Sequence, residues 1–165
     1  MDYQFPFKHL VFSGGGVRGC GYARLWSVFE RYGIAPQIKS VIGVSAGSIV
    51  AGMIAMGMNG QEIEETVREM KFGEFADNSI GYSLDIYRLL TQFGWNRGQV
   101  FLDWYGGIIA QRFGNPDATL QEVYDHSGIE FVAKATCLET QEGRTFSYAS
   151  DPDLPLRLLV RMSIS

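Results

Sequence analysis

Gly43-Val44-Ser45-Ala46-Gly47 is a G-x-S-x-G pentapeptide, and the residues on either side of it decide how the chain is read. Ile38 to Val44 is apolar and β-rich, which predicts a buried strand. Ser48 to Met58 carries no charge and predicts a helix packed on all sides. A serine on a sharp strand-to-helix turn, with glycines on both flanks, is what a nucleophile elbow requires, because a side chain at either glycine would collide with neighbouring backbone. The pentapeptide alone therefore points to acyl-hydrolase chemistry with Ser45 as the attacking group.

The whole chain sets bounds on that reading. A length of 165 residues predicts one domain, and 46% hydrophobic with 19% charged residues is ordinary globular composition. A formal net charge of -4 gives no basic footprint, so nucleic acid is not an expected partner. Cys20 and Cys137 are far apart and lack C-x-x-C spacing, so neither a disulfide framework nor a zinc site is expected, and both read as reduced core residues. The two histidines, His9 and His126, are equally distant and make no metal site. Met1-Asp2-Tyr3-Gln4-Phe5-Pro6 has no basic and apolar leader pattern, which predicts no signal peptide and a cytoplasmic location. The uncharged run from Val41 to Met58 reaches the length of a membrane span, but its four glycines and the elbow divide it into a buried strand and a buried helix.

Working outward, His9 to Ser13 predicts a first strand that feeds Gly14-Gly15-Gly16, and Arg18 to Tyr32 predicts a helix with Gly33 as its C-cap. Strand, helix and second strand make a βαβ unit with parallel strands. Glu62 to Met70 is amphipathic. From Lys71 to Gln99 the pattern weakens, leaving a mobile cap over the site or an irregular connection with a short helix near 84–92 as alternatives, the second slightly favoured. Helices are expected over 100–113, over 119–125 with Thr119 as cap, and over 152–162 with Pro152 in the first turn. Ile129 to Leu138 and Arg144 to Tyr148 should form an antiparallel hairpin. The fold class expected from this order is α/β, a mostly parallel sheet with flanking helices.

The loop Gly14-Gly15-Gly16-Val17-Arg18-Gly19 fits G-x-G-x-x-G, which raises dinucleotide binding. That use needs an acidic residue at the end of the second strand, and the elbow stands there instead. The better use is an oxyanion hole, in which backbone N–H groups free of side chains converge on the oxygen that turns negative when a serine attacks an ester. Two parallel strands would bring loop and elbow together at their carboxyl ends. A Ser-His-Asp triad is not expected, because His126 stands in Asp125-His126-Ser127-Gly128, which reads as a turn.

Together the two motifs resemble the patatin-like phospholipases, whose pattern is G-G-G-x-R-G after the first strand and G-x-S-x-G after the second. The resemblance covers roughly residues 8 to 165 and includes Arg161-Met162-Ser163-Ile164-Ser165, similar to the family segment before its aspartate strand. It implies a three-layer fold, Ser45 as nucleophile, and Gly14, Gly15 and Gly16 as oxyanion hole. Two uses of Arg18 stay open, a phosphate headgroup contact or a salt bridge bracing the loop, the brace being favoured. The resemblance further implies lipid or acyl-ester substrates, peripheral membrane contact and no cofactor; the sequence itself names no activating protein partner. It also implies a Ser-Asp dyad with the aspartate before a glycine, yet residues 1–165 hold no Asp-Gly dipeptide. A patatin-like domain truncated at its carboxyl end is therefore expected, and a non-catalytic lipid- or protein-binding fold is the alternative.

Overall fold

A computed structural model describes residues 5–70, 95–137 and 139–164. The chain starts with strand β1 (His9–Phe12), a 3-10 turn (Gly16–Cys20) and helix α1 (Gly21–Arg31), then returns through a second 3-10 turn (Ala35–Gln37) to β2 (Ser40–Gly43). Helices α2 (Ala46–Ala55), α3 (Gly60–Glu69), α4 (Trp95–Phe113) and α5 (Leu120–Ser127) follow. The hairpin β3 (Glu130–Thr136) and β4 (Gly143–Phe146) precedes helix α6 (Leu156–Ser163). The four described strands lie in the order β1-β2-β3-β4. The first three are parallel and β4 runs antiparallel to β3. This is the α/β architecture expected from the sequence, a mostly parallel sheet flanked by helices.

Register fixes which side chains make the core. Phe12 pairs with Gly43, and Gly43 with Ala133, so these residues share one face with Val41 and Phe131. That face is buried: Val41 and Ala133 are inaccessible to solvent, as are Met53 and Ile54 of α2. The opposite face is more open, with Val11 on edge strand β1 72% exposed. Helix α2 is buried nearly all round, which explains its lack of charge: an ionised side chain there would lose its hydration without a partner. Tyr105 of α4 crosses it at Gly52, where the phenol is fully buried and donates to the Ile49 carbonyl at 3.1 Å. Burial pushes that hydroxyl well above the ordinary tyrosine range.

Caps mark where the helices begin. Asn59 accepts from the Glu62 amide while Glu62 reaches back to the Asn59 amide, and Thr119 and Glu122 repeat the arrangement. The last helix starts later than expected, at Leu156 with Pro155 as N-cap. Pro155 biases Leu154 toward extended backbone, so no helix starting at Pro152 runs through it. Helix α4 starts earlier than expected, at Trp95. Asp125-His126-Ser127, read as a turn, is the end of α5, and Gly128 closes it in the left-handed region at φ 69°. Cys137 is a further correction: it is exposed at the end of β3, whereas Cys20 is half-buried, and both are free thiols. The alternatives for a cap or connection lie mostly outside the described residues, in 71–94. Among the described residues no helix is long and apolar enough to cross a membrane.

Candidate active site

The site forms where β1 and β2 end. Because the two strands are parallel and in register to Phe12 and Gly43, their following loops emerge side by side, and the Val44 amide extends the pairing to the Phe12 carbonyl at 3.1 Å. Ser45 is the residue between strand and helix. Its backbone stands at φ 52° and ψ -129°, one of two non-glycine residues with positive φ among those described. Such a conformation costs on the order of 1–3 kcal/mol and persists only where the surroundings enforce it. Here both peptide groups of Ser45 are held. Its carbonyl accepts from the Ser48 hydroxyl at 2.6 Å and the Ser48 amide at 2.8 Å, and its N–H donates to the Ser163 hydroxyl at 3.1 Å.

The flanking glycines serve close approach. A Cβ at Gly43 would fall 2.4 Å from the Ser48 Cα, and one at Gly47 would fall 2.3 Å from the Phe12 carbonyl oxygen. Strand end and helix start thus touch through bare backbone, with Val44 and Ala46 completing the turn around Ser45.

The glycine loop lies against this turn. A Cβ placed on Gly14 would be 3.2 Å from the Ser45 Cβ and 3.9 Å from its Oγ. Gly16 turns the chain at φ 56° into the 3-10 turn, and the Arg18 amide closes on the Gly15 carbonyl at 3.2 Å. Gly19 locks the turn onto α2, where its own Cβ would stand 2.9 Å from that of Ala46. Tyr22 braces the loop from α1: its hydroxyl lies 2.9 Å from the Ser13 Oγ, and its ring packs on Phe12 at 5.1 Å. Among the described residues the amides of Gly14, Gly15, Gly16 and Ala46 donate no hydrogen bond, whereas those of Ser45, Gly47 and Ser48 are engaged within the fold. The loop and the Ala46 amide therefore hold free donors next to the Ser45 side chain.

Beneath the loop runs a small apolar crevice between the 3-10 turn, α2 and α3, lined by Gly16, Cys20, Ala46, Ile49, Val67 and Met70 among others. Val17 on the loop is 57% and Val44 on the elbow 37% exposed. Arg18 is also exposed, and among the described residues no ion pair to it occurs. The two histidines are occupied elsewhere, His9 with its Nδ1 2.7 Å from the Ser40 hydroxyl and His126 with its ring edge against Phe113. Among the described residues no cluster of metal-ligating side chains occurs.

The Patatin-like phospholipase family model matches residues 10–165. The chain belongs to that family. "Uncharacterized protein R571" of Acanthamoeba polyphaga mimivirus is 29% identical over 163 residues, covering 98% of this chain and 52% of that protein. "Uncharacterized protein YqhO" of Bacillus subtilis is 27% identical, covering 94% of this chain and 54% of that protein. The chain thus spans about half the length of the curated relatives it matches. ExoU of the Pseudomonas aeruginosa type III secretion system, solved in complex with SpcU, superposes with a TM-score of 0.65 at 18% identity, over 97% of this chain and 38% of ExoU. VipD from Legionella pneumophila gives 0.65 at 16% identity, over 94% and 42%. At these identities the likeness is one of fold.

Three residues of this patatin-like chain escaped sequence reasoning although they hold the elbow or the loop beside it. Ser48 had a local signal, a hydroxyl three positions after Ser45 in the first turn of a helix. Tyr22 sits at helical spacing among apolar residues and reads as core. Ser163 lies 118 positions from Ser45, and nothing local marks it as a partner.

Proposed function

We propose that this chain is the nucleophile-bearing part of a serine acyl hydrolase that cleaves fatty acyl esters of phospholipids or related lipids through an acyl-Ser45 intermediate. The observation that carries the reading is Ser45 held at positive φ on the turn from β2 to α2, with Gly14 of the glycine loop against its side chain. In this reading Ser45 Oγ attacks the ester carbonyl, and its proton passes to a general base. The oxygen that becomes negative is met by the free N–H groups of Gly14, Gly15 and Gly16, each such donor being worth on the order of 100-fold in rate. Collapse expels the alcohol, which takes up the proton, and water then releases the fatty acid and regenerates Ser45. Arg18, exposed beside the loop, is suited to a phosphate oxygen of the headgroup.

Several features support a lipid as substrate. The crevice by the loop is apolar, and Ala46, the residue after the nucleophile, is part of its lining. Val17 of the glycine loop and Val44 of the elbow expose apolar surface, which suits peripheral contact with a membrane, and no cofactor enters the chemistry. The base is the part that residues 1–165 do not supply: the family resemblance assigns it to an Asp-Gly motif, and none is present in them. The full-length protein is therefore the enzyme in this reading. The same observation favours a second reading, a patatin-like fold that binds lipid or protein without turnover.

Phospholipid vesicles carrying a labelled acyl chain separate the two. The enzyme reading expects the full-length protein to release labelled fatty acid, with Ser45→Ala reducing release to background. Vesicle binding without release by the full-length protein would leave the binding reading standing and refute the enzyme.

A further inference from the structure

The nucleophile's own amide is tied to the far end of the chain. Ser163, in the last turn of α6 and only 9% exposed, accepts the Ser45 N–H at 3.1 Å and donates its hydroxyl hydrogen to the Lys134 carbonyl on β3 at 2.8 Å. One hydroxyl thus links three elements: the elbow, a central strand and a carboxyl-terminal helix. We propose that Ser163 is a positioning residue that holds Ser45 in its reactive backbone conformation by engaging the Ser45 amide.

Two features of the geometry argue for this. Ser45 occupies a backbone region that relaxes unless it is held from both sides, and its carbonyl side is already fixed locally by Ser48. Ser163 supplies the other side. A hydroxyl is also the group this position needs, because it must accept from one backbone group and donate to another; alanine would leave the Ser45 N–H and the Lys134 carbonyl without that partner in a mostly buried spot. The Ser45 peptide would then rotate to find another acceptor, and its Oγ would move away from Gly14. Misplacing a reacting group by about 1 Å costs on the order of 100-fold in rate.

The inference rests on Ser45 being the nucleophile, so the test reports on both. The rate at which a fluorophosphonate probe labels Ser45 is measured for the full-length wild type, Ser163→Ala, Ser163→Thr and Thr119→Ala, with thermal unfolding followed on the same samples. Thr119→Ala removes a helix cap remote in sequence from the elbow and supplies a destabilised control. Labelling of Ser163→Ala is expected to be slower by a factor on the order of ten or more, to be restored largely by Ser163→Thr, and to be unchanged in Thr119→Ala. On ester substrates the loss should fall on kcat with KM nearly constant. Should Ser163→Ala not accumulate in folded form, Ser163→Cys, close in volume but a poor acceptor, carries the same comparison. Wild-type-like labelling of Ser163→Ala, or equal slowing in Ser163→Ala and Thr119→Ala, would overturn the positioning role alone. Absence of labelling at Ser45 in wild type would sink the nucleophile reading and this inference with it.

Discussion

Replacing Gly47 by alanine tests the packing that builds the elbow. A Cβ at this position falls 2.3 Å from the Phe12 carbonyl oxygen, 2.7 Å from its carbon and 2.7 Å from the Ser13 carbonyl oxygen, all backbone atoms. No rotamer change relieves such a contact; β1 and α2 must separate. Forcing an extra methyl into a packed interior costs about 1–3 kcal/mol, of which alanine's better helix propensity returns at most about 1 kcal/mol. A net loss of roughly 1–2 kcal/mol lowers the melting temperature of a chain this size by about 2–8 °C. The larger effect is on Ser45, which rides on the displaced turn beside Gly14, and labelling of the serine should fall by on the order of 100-fold. Far-UV circular dichroism melting and fluorophosphonate labelling on the same Gly47→Ala sample measure both quantities. A variant that melts and labels like wild type would refute the claim that bare backbone contact sets the elbow.

Other positions give outcomes of different sign. Gly107 is exposed within α4, and a Cβ there meets nothing within 4 Å, so Gly107→Ala should raise stability by roughly 0.5–1 kcal/mol, read as a higher melting temperature. The two thiols should separate under alkylation. Hydrogen bonds from the Thr140 backbone and side chain and from the Glu139 backbone lower the pKa of exposed Cys137, while burial raises that of Cys20, so Cys137 carries more thiolate near neutral pH. Peptide mapping after brief iodoacetamide treatment should find Cys137 modified first, and modification of Cys20 ahead of it would contradict the assignment.

Much of the fold was legible because its signals are local. The apolar run ending at Val44 and the uncharged run from Ser48 gave β2 and α2 to within a few residues, and the parallel order of β1 and β2 made the meeting of Gly14 with Ser45 a consequence of topology. What sequence reasoning missed depends on tertiary contact. The helix expected over 100–113 starts at Trp95 and runs through Gly98, where a Cβ would stand 2.9 Å from the Arg161 guanidinium. Cys137 was read as core from residue type, but it follows the strand at the start of an exposed turn. Ser163 carries no local mark, and its role follows only from the register that lays α6 beside β3.

The account stands on Ser45, and labelling of the full-length protein by a fluorophosphonate probe with mass-spectrometric mapping of the adduct tests it most directly. The expected result is a single adduct on the peptide containing Gly43 to Gly47, assigned to Ser45 and lost in Ser45→Ala. Labelling at another serine, or labelling that persists in Ser45→Ala, would contradict it.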